Sequence, residues 1–334
     1  MAATSVPVTH QGARRRPFIV RGAGMLLAYG ILVALLIVYY QKSPRFTERE
    51  MRSIANQGMS LSIVGLGQTI VVLTGGIDLS VGPMVSLTNS IASRISGEES
   101  PNRRMALAAA AALAVGATGG FINGVLIAYG RLQPIIVTLA TASIYGGIAL
   151  QVRPSPGGYI PFSYVELLTG LYRRQVPKSL FLLLALVVVW MIFRRTRLST
   201  RIYAIGSAEG AAYMSGVNVV RTKLWAYTLA GVASGIAGLF YTAQTATGDA
   251  IAGNVFTLNS IAAVVLGGAS LAGGVGSFIG TIAGAYVIAL IPSVLYFYKV
   301  TPFYQSLFQG LILLVAVSLG ALSVFRVKNR LERL

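Results

Sequence analysis

Cysteine is absent from this chain of 334 residues, histidine occurs once and acidic residues number nine. Without cysteine there is no disulfide framework and no thiolate metal site. His10 lies in the polar N-terminal stretch, so the apolar sequence holds no histidine-based metal cluster and no Ser-His-Asp set. A phosphate loop of the G-x-x-x-x-G-K-S/T type is missing too, because none of the five lysines follows a glycine. No paired acids or nucleophile-base set occurs within the apolar runs, which disfavours a membrane-embedded enzyme. The chain is therefore expected to be no catalyst and to need no metal or cofactor.

What is present is membrane-grade sequence. Hydrophobic residues make up 55% of the chain and charged residues 11%, with a mean hydropathy of +0.72. The net charge of +18 would suggest nucleic acid in a soluble protein. Here the basic residues sit between apolar runs, so membrane topology accounts for them and no nucleic-acid partner is expected. Apolar runs predict about ten helices: Val20 to Tyr40, Ile54 to Leu73, Leu79 to Ile95, Met105 to Tyr129, Pro134 to Val152, Ser179 to Phe193, Leu224 to Thr245, Phe256 to Leu266, Gly276 to Tyr298 and Phe303 to Phe325. The first is too long for a cleaved signal peptide and is expected to remain as an anchor. The expected architecture is an all-α, multi-pass membrane protein. Residues 1–19 and 326–334 form tails around a membrane domain over 20–325.

Arg14, Arg15, Arg16 and Arg21 precede the first run, and Arg326, Lys328, Arg330 and Arg333 follow the last, which puts both termini in the cytoplasm. The same alternation puts the arginine-rich loop 194–222 inside. The stretches Gln41 to Arg52 and Arg153 to Lys178 run against the rule, being basic and expected outside. The second of these, with Pro154, Pro156, Gly157, Gly158, Pro161 and Pro177, reads as an irregular surface connection.

The most informative stretch is Gly75-Gly76-Ile77-Asp78-Leu79-Ser80-Val81-Gly82. A bare aspartate at a bilayer centre costs roughly 2.5 to 3.5 kcal/mol, so Asp78 must face protein, water or solute, or cap a helix. Gly75 and Gly76 release the backbone from helical geometry. A new helix can then start at Asp78 as N-cap, with Pro83 near its first turn. A second break, Gly267-Gly268-Ala269-Ser270-Leu271-Ala272-Gly273-Gly274-Val275-Gly276, overlays the first, with Gly75, Gly76, Leu79 and Gly82 on Gly267, Gly268, Leu271 and Gly274. Paired interruptions of this kind point to an internal pseudo-repeat and a central site. Polar groups offered to a solute path are Gln68, Thr69, Asn89, Asn123, Gln133, Thr138, Gln244 and Asn259, each of which can instead serve a neighbouring helix. Asp249 is read as part of an outer loop. Gly231, Gly235 and Gly238, like Gly280 and Gly284, permit close helix approach, chiefly within the chain.

The run Leu73-Thr74-Gly75-Gly76-Ile77-Asp78-Leu79-Ser80-Val81-Gly82 resembles the signature of the inner-membrane permease subunits of bacterial sugar ABC importers, the ribose, xylose and galactofuranose group within the branched-chain amino acid/ribose permease family. Further matches follow in order: Ile135 to Ala140, Tyr203 to Ser207, Ala211-Ala212 with Ser215 to Val217, and Val264 to Gly268 with Gly273 to Ser277. The resemblance covers about Asn56 to Leu319. It implies import of a monosaccharide across the bacterial inner membrane by two permease chains, identical or different, embedded in lipid. A periplasmic sugar-binding protein delivers the solute and a cytoplasmic ABC ATPase supplies the energy.

The helix-break and pathway residues are then Gly75, Gly76, Asp78, Ser80, Gly82, Gln68, Thr138, Gly267 and Gly268. The resemblance makes the segment around Ala208 to Val217 the coupling helix that docks in the ATPase, with Arg201, Gly206, Glu209, Ala211, Ala212, Met214 and Gly216 as coupling residues. Ser207 is its expected N-cap, Glu209 suits the dipole of its first turn, and Gly216 is its stop. Alternatives from other classes are an ion-coupled secondary transporter, a membrane-embedded enzyme or scaffold, and a permease for another small polar solute.

Overall fold

An apolar segment in lipid must satisfy its own backbone, so the runs fold as helices. The computed structural model describes residues 18–43 and 46–301, with 304, 307, 308, 310, 311 and 314 beyond them. Helix α1 spans Phe18–Lys42, α2 Glu48–Gln57, α3 Met59–Leu73, α4 Val81–Ile95, α5 Pro101–Ala128 and α6 Pro134–Val152. Helix α7 (Phe162–Thr169) and the two-residue strands β1 (Leu171–Tyr172) and β2 (Val176–Pro177) lead into α8 (Lys178–Arg194). Helices α9 (Arg197–Ser207) and α10 (Glu209–Met214) precede α11 (Val219–Thr245), α12 (Val255–Leu266) and α13 (Phe278–Phe297).

Among the described residues, five helices are long and apolar enough to cross a membrane: Gly24–Lys42 of α1, α5, α6, α11 and α13. The pair α8 and α9, bent by 76°, adds a sixth if read as one broken span. Three of the ten expected helices are too short for a full crossing. Helices α3 and α4 have 15 residues each and α12 has 12, short of the ~20 that a full crossing takes. Helices α3 and α12 end at the glycine-rich breaks, and α4 begins after the first of them. The expected helix Phe303 to Phe325 and both charged tails lie largely or wholly outside the described residues.

Helix α11 is the centre of the bundle, packed along α5, α3 and α4, while α13 packs on α1, α12 and α3. Close approach of α5 and α11 is possible because glycines face one another: a Cβ on Gly120 would stand 3.0 Å from Gly231 Cα, and one on Gly235 would stand 3.0 Å from the Ala112 carbonyl oxygen. Gly238 meets Thr88, Gly280 meets Gly267 and Gly284 meets Ala263, so the small-residue spacing serves packing within the chain. Only 11% of the α1 window is covered by protein against 72% of that of α13. Leu26, Ile136, Leu184 and Ile192 on α1, α6 and α8 are exposed apolar side chains on the outside of the bundle.

Three local expectations change. The run Ile54 to Leu73 divides at Gly58, where a side chain would run into the Tyr286 ring; charged, amphipathic α2 lies before the break and uncharged, mainly apolar α3 after it. Residues 153–178 are partly regular, with α7 and a small hairpin. Their basic residues have structural uses. Arg153 Nη2 donates to the Ser93 carbonyl at 3.0 Å, and Lys178 Nζ donates to the Glu166 carbonyl at 2.7 Å. With the Gly157–Gly248 bridge and the Ser96 to Tyr159 carbonyl bond, the Arg153 bond staples together the loops that follow α4, α6 and α11, while the Lys178 bond ties α8 back to α7. Residues 194–222 hold two helices, α9 and α10.

Candidate translocation and coupling site

Helices α3 and α12 stop in the same way. Gly75 N–H donates to Val72 O and Gly76 N–H to Val71 O, while Gly268 N–H donates to Val265 O and Ala269 N–H to Val264 O. Each set is a Schellman cap, closed by a left-handed glycine: Gly75 at φ 81° and Gly268 at φ 87°. The overlay of Gly75 on Gly267 is thus off by one. Gly75 corresponds to Gly268, the register in which Val71-Val72-Leu73 falls on Val264-Val265-Leu266. The eight-residue overlay followed the glycines, and glycine is abundant here; the cap hydrogen bonds follow the preceding helix.

The two breaks touch. Gly274 N–H donates to the Leu73 carbonyl at 3.1 Å, and Gly273 lies so close to Gly75 that a Cβ there would stand 2.8 Å from Gly75 N. The end of α9 is wedged against both: a side chain at Gly206 would run into Leu73 O and Gly274 N, and Tyr203 Oη donates to Gly276 O at 2.7 Å. The breaks and the arginine-rich segment therefore share one backbone junction.

Asp78 is 1% exposed and does not cap a helix. Its Oδ1 accepts from Ser80 N–H at 2.8 Å and from Ser80 Oγ at 2.6 Å, forming an Asx-turn. Helix α4 begins afterwards, at Val81, with Ser80 at the N-cap and Pro83 in the first turn. The carboxylate supplies the acceptor that an irregular buried stretch lacks. Asn123 Nδ2 on α5 donates to Ser80 Oγ at 2.8 Å, fastening the turn to the bundle. Thr138 Oγ1 bonds Pro134 O at 2.9 Å and reaches Ile77 O at 3.4 Å, so α6 also touches the break. Gly82 lies against Thr257 and the Gly253 carbonyl. Gln68 is fully buried on α3, with neither amide atom bonded among the described residues.

Most other polar candidates serve neighbours. Thr69 pairs with Thr281 at 2.8 Å, Gln244 accepts from Ser60 at 3.0 Å, and Asn89 bonds Thr242, Thr247 O and Asp249 N. Asp249 caps its own loop by accepting from Ile251 N–H at 2.9 Å. Gln133 is exposed and Asn259 half-buried. Tyrosines were the residues missed. The Tyr203 hydroxyl meets the second break at Gly276 and the Tyr227 hydroxyl lies against Gly76 at the first, and only these hydroxyls distinguish the two from the apolar residues of their helices.

The expected coupling helix is shorter than Ala208 to Val217 and is capped differently. Ser207 is the last residue of α9, its hydroxyl donating to Tyr203 O, and Ala208 is the N-cap of α10. The extended backbone of Ala208 ends α9 before Ser207 can start a new helix. Glu209 opens α10 and is held by Lys223 Nζ, 2.8 Å from both carboxylate oxygens. Gly216, at φ 79°, closes α10. Ala212 is buried beneath it, while Arg201, Ala211 and Gly216 are exposed. Tyr213 and Met214 project at 70% and 85% exposure.

Residues 51–317 match the family described as branched-chain amino acid transport system / permease component. The chain is 35% identical over 292 residues to the ribose import permease protein RbsC of Escherichia coli (strain K12), covering 86% of this chain and 90% of the relative. It is 34% identical over 296 residues to RbsC of Bacillus subtilis (strain 168), with the same coverage. The galactose/methyl galactoside import permease protein MglC of Escherichia coli (strain K12) is 31% identical over 316 residues, 89% of this chain and 94% of the relative. No solved structure matches. With the match spanning most of its length, the chain belongs to the branched-chain amino acid transport system / permease component family.

Proposed function

We propose that this chain is the membrane-spanning permease subunit of an ATP-driven importer that carries a monosaccharide, a pentose or hexose, across a bacterial inner membrane. The observation that carries the reading is the junction at Gly206, where the end of α9 meets both helix breaks backbone to backbone, with the exposed α10 beyond it. A push on α10 passes through the end of α9 to the two helix breaks. The names of the relatives, ribose and galactose import permeases, support the solute class. Such a permease is not itself an enzyme: ATP is hydrolysed on a separate ATPase, and a periplasmic binding protein delivers the sugar.

In this reading α10 docks in a groove of the ATPase. Tyr213 and Met214 make its apolar contact, Ala211 and Gly216 allow close approach, and Arg201 lies on the same face of the membrane. Gly75, Gly76, Asp78, Ser80, Gly82, Gln68, Thr138, Gly267 and Gly268 form the moving gate. Both termini are cytoplasmic, and ten hydrophobic segments enter the membrane, the short ones meeting at the breaks. The domain covers 20–325, with 194–222 as its coupling loop, and a second permease chain completes the path.

The test is uptake of labelled pentoses and hexoses into vesicles holding the assembled importer, with internal ATP compared against an imposed ion gradient. ATP-dependent uptake of one sugar is the expected result. Uptake driven by the gradient alone would overturn the reading in favour of an ion-coupled transporter.

A further inference from the structure

Beside the Asp78 turn the structure keeps buried polar atoms that nothing in this conformation satisfies. Tyr227 is 1% exposed and its hydroxyl has no hydrogen-bond partner among the described residues; Asn123, equally buried, donates to Ser80 but leaves Oδ1 without a partner. These atoms are neighbours of the break. The Tyr227 hydroxyl lies against Gly76, and Ser80 Oγ joins Asn123 to Asp78 through contacts of 2.8 and 2.6 Å. On α5, Asn123 falls between Gly120 and Gly124, which pack on the α11 backbone at Tyr227 and Leu224.

Burying an unbonded hydroxyl is unfavourable. The Tyr227 ring sits in an apolar collar of Val71, Ile127, Val137 and Ala230, which a phenylalanine would fill equally well without that penalty. In the closed break the hydroxyl contributes nothing, so its contribution belongs to another state. We infer that Tyr227 and Asn123, together with Asp78 and Ser80, form a hydrogen-bonding girdle that takes the hydroxyl groups of an uncharged polyol as the break opens. This rests on the importer reading and names side chains on α5 and α11 that the glycine motifs do not contain. The chemistry matches. Sugar hydroxyls donate and accept; Asn123 Oδ1 and the Asp78 carboxyl accept, and the Tyr227 hydroxyl does either. Movement of the break frees Asn123 from Ser80, which turns an internal tether into a solute contact.

The experiment is Tyr227→Phe in the complete importer reconstituted in lipid vesicles, with labelled D-ribose and D-galactose as probes and internal ATP. Tyr145→Phe is the comparison, since the Tyr145 hydroxyl already donates to Gly119 O at 2.9 Å. For Tyr227→Phe the expected maximal uptake falls about tenfold, the equivalent of one net hydrogen bond. The melting temperature stays level or rises, and apparent affinity, set by the binding protein, is unchanged. Tyr145→Phe is expected to lose melting temperature, with uptake following the amount of folded complex. Wild-type uptake by Tyr227→Phe, or loss of uptake in step with melting temperature in both variants, would overturn the inference. If the wild-type complex takes up no sugar of the labelled pentose and hexose panel with internal ATP, the importer reading falls and this proposal with it.

Discussion

At the scale of single residues, Asp78 organises a turn and does not start a helix. Its Oδ1 holds Ser80 twice over, so two substitutions separate its roles. Asp78→Asn keeps an oxygen acceptor at the turn and is expected to leave the amount of folded protein near wild type while lowering uptake. Asp78→Ala removes the acceptor and strands a buried Ser80 N–H, a cost of about 1 to 3 kcal/mol. It is expected to reduce both abundance in the membrane and melting temperature. Equal loss of uptake and abundance in Asp78→Asn would leave Asp78 only the structural role. The aspartate was legible in the sequence because a carboxylate amid apolar residues is conspicuous. Tyr227 was not, since a tyrosine in an apolar helix looks like any other aromatic until its hydroxyl is found unbonded.

At the scale of elements, α9 and α10 divide the work of transmission. Gly206 has no room for a Cβ between Leu73 O and Gly274 N, and both of these belong to backbone that cannot swing aside. Gly206→Val is therefore expected to displace α9 from the breaks, which thermal melting of the purified chain will register as lost stability and vesicles as lost uptake. Met214→Asp alters a side chain that is 85% exposed and touches no core, so its melting temperature should match wild type. Co-purification of the ATPase and ATP-driven uptake should fall together. If Met214→Asp retains both, α10 is not the docking element. The existence of α10 and its glycine stop could be read from Glu209 and Gly216, but its start could not. The end of α9 decides it, and the loop reading gave residues 197–207 no helix.

At the scale of the whole molecule, contacts tie one set of loops into each end of the bundle. Gly24 packs against Gly268, so the start of α1 lies on the side of the bundle from which α9 meets the breaks, while residues 157, 159 and 248 lie together on the other. The absence of cysteine makes sidedness directly measurable, since any introduced thiol is the only one. Met214→Cys is expected to react with a membrane-impermeant maleimide only from the cytoplasmic face, and Leu167→Cys, 63% exposed on α7, only from the outer face. Labelling of both from one side would overturn the orientation. Charge counting alone left this ambiguous because Arg153 and Lys178 are held by carbonyl groups for structural reasons, and a count of positive residues does not distinguish a staple from a topological signal.

Composition and hydrophobic period by themselves determined a helical membrane protein and its long spans, because in lipid each segment must satisfy its own backbone and so declares itself locally; the glycine motifs marked the two breaks and carried the family resemblance. What only the tertiary structure decided is where those segments stop and meet. The shortness of α3, α4 and α12, the one-residue shift between the breaks, the meeting of Gly206 with Leu73 and Gly274, and the unbonded Tyr227 hydroxyl all depend on which backbone or ring lies opposite. Those partners are dozens to nearly two hundred positions away along the chain, and local hydropathy carries no record of them.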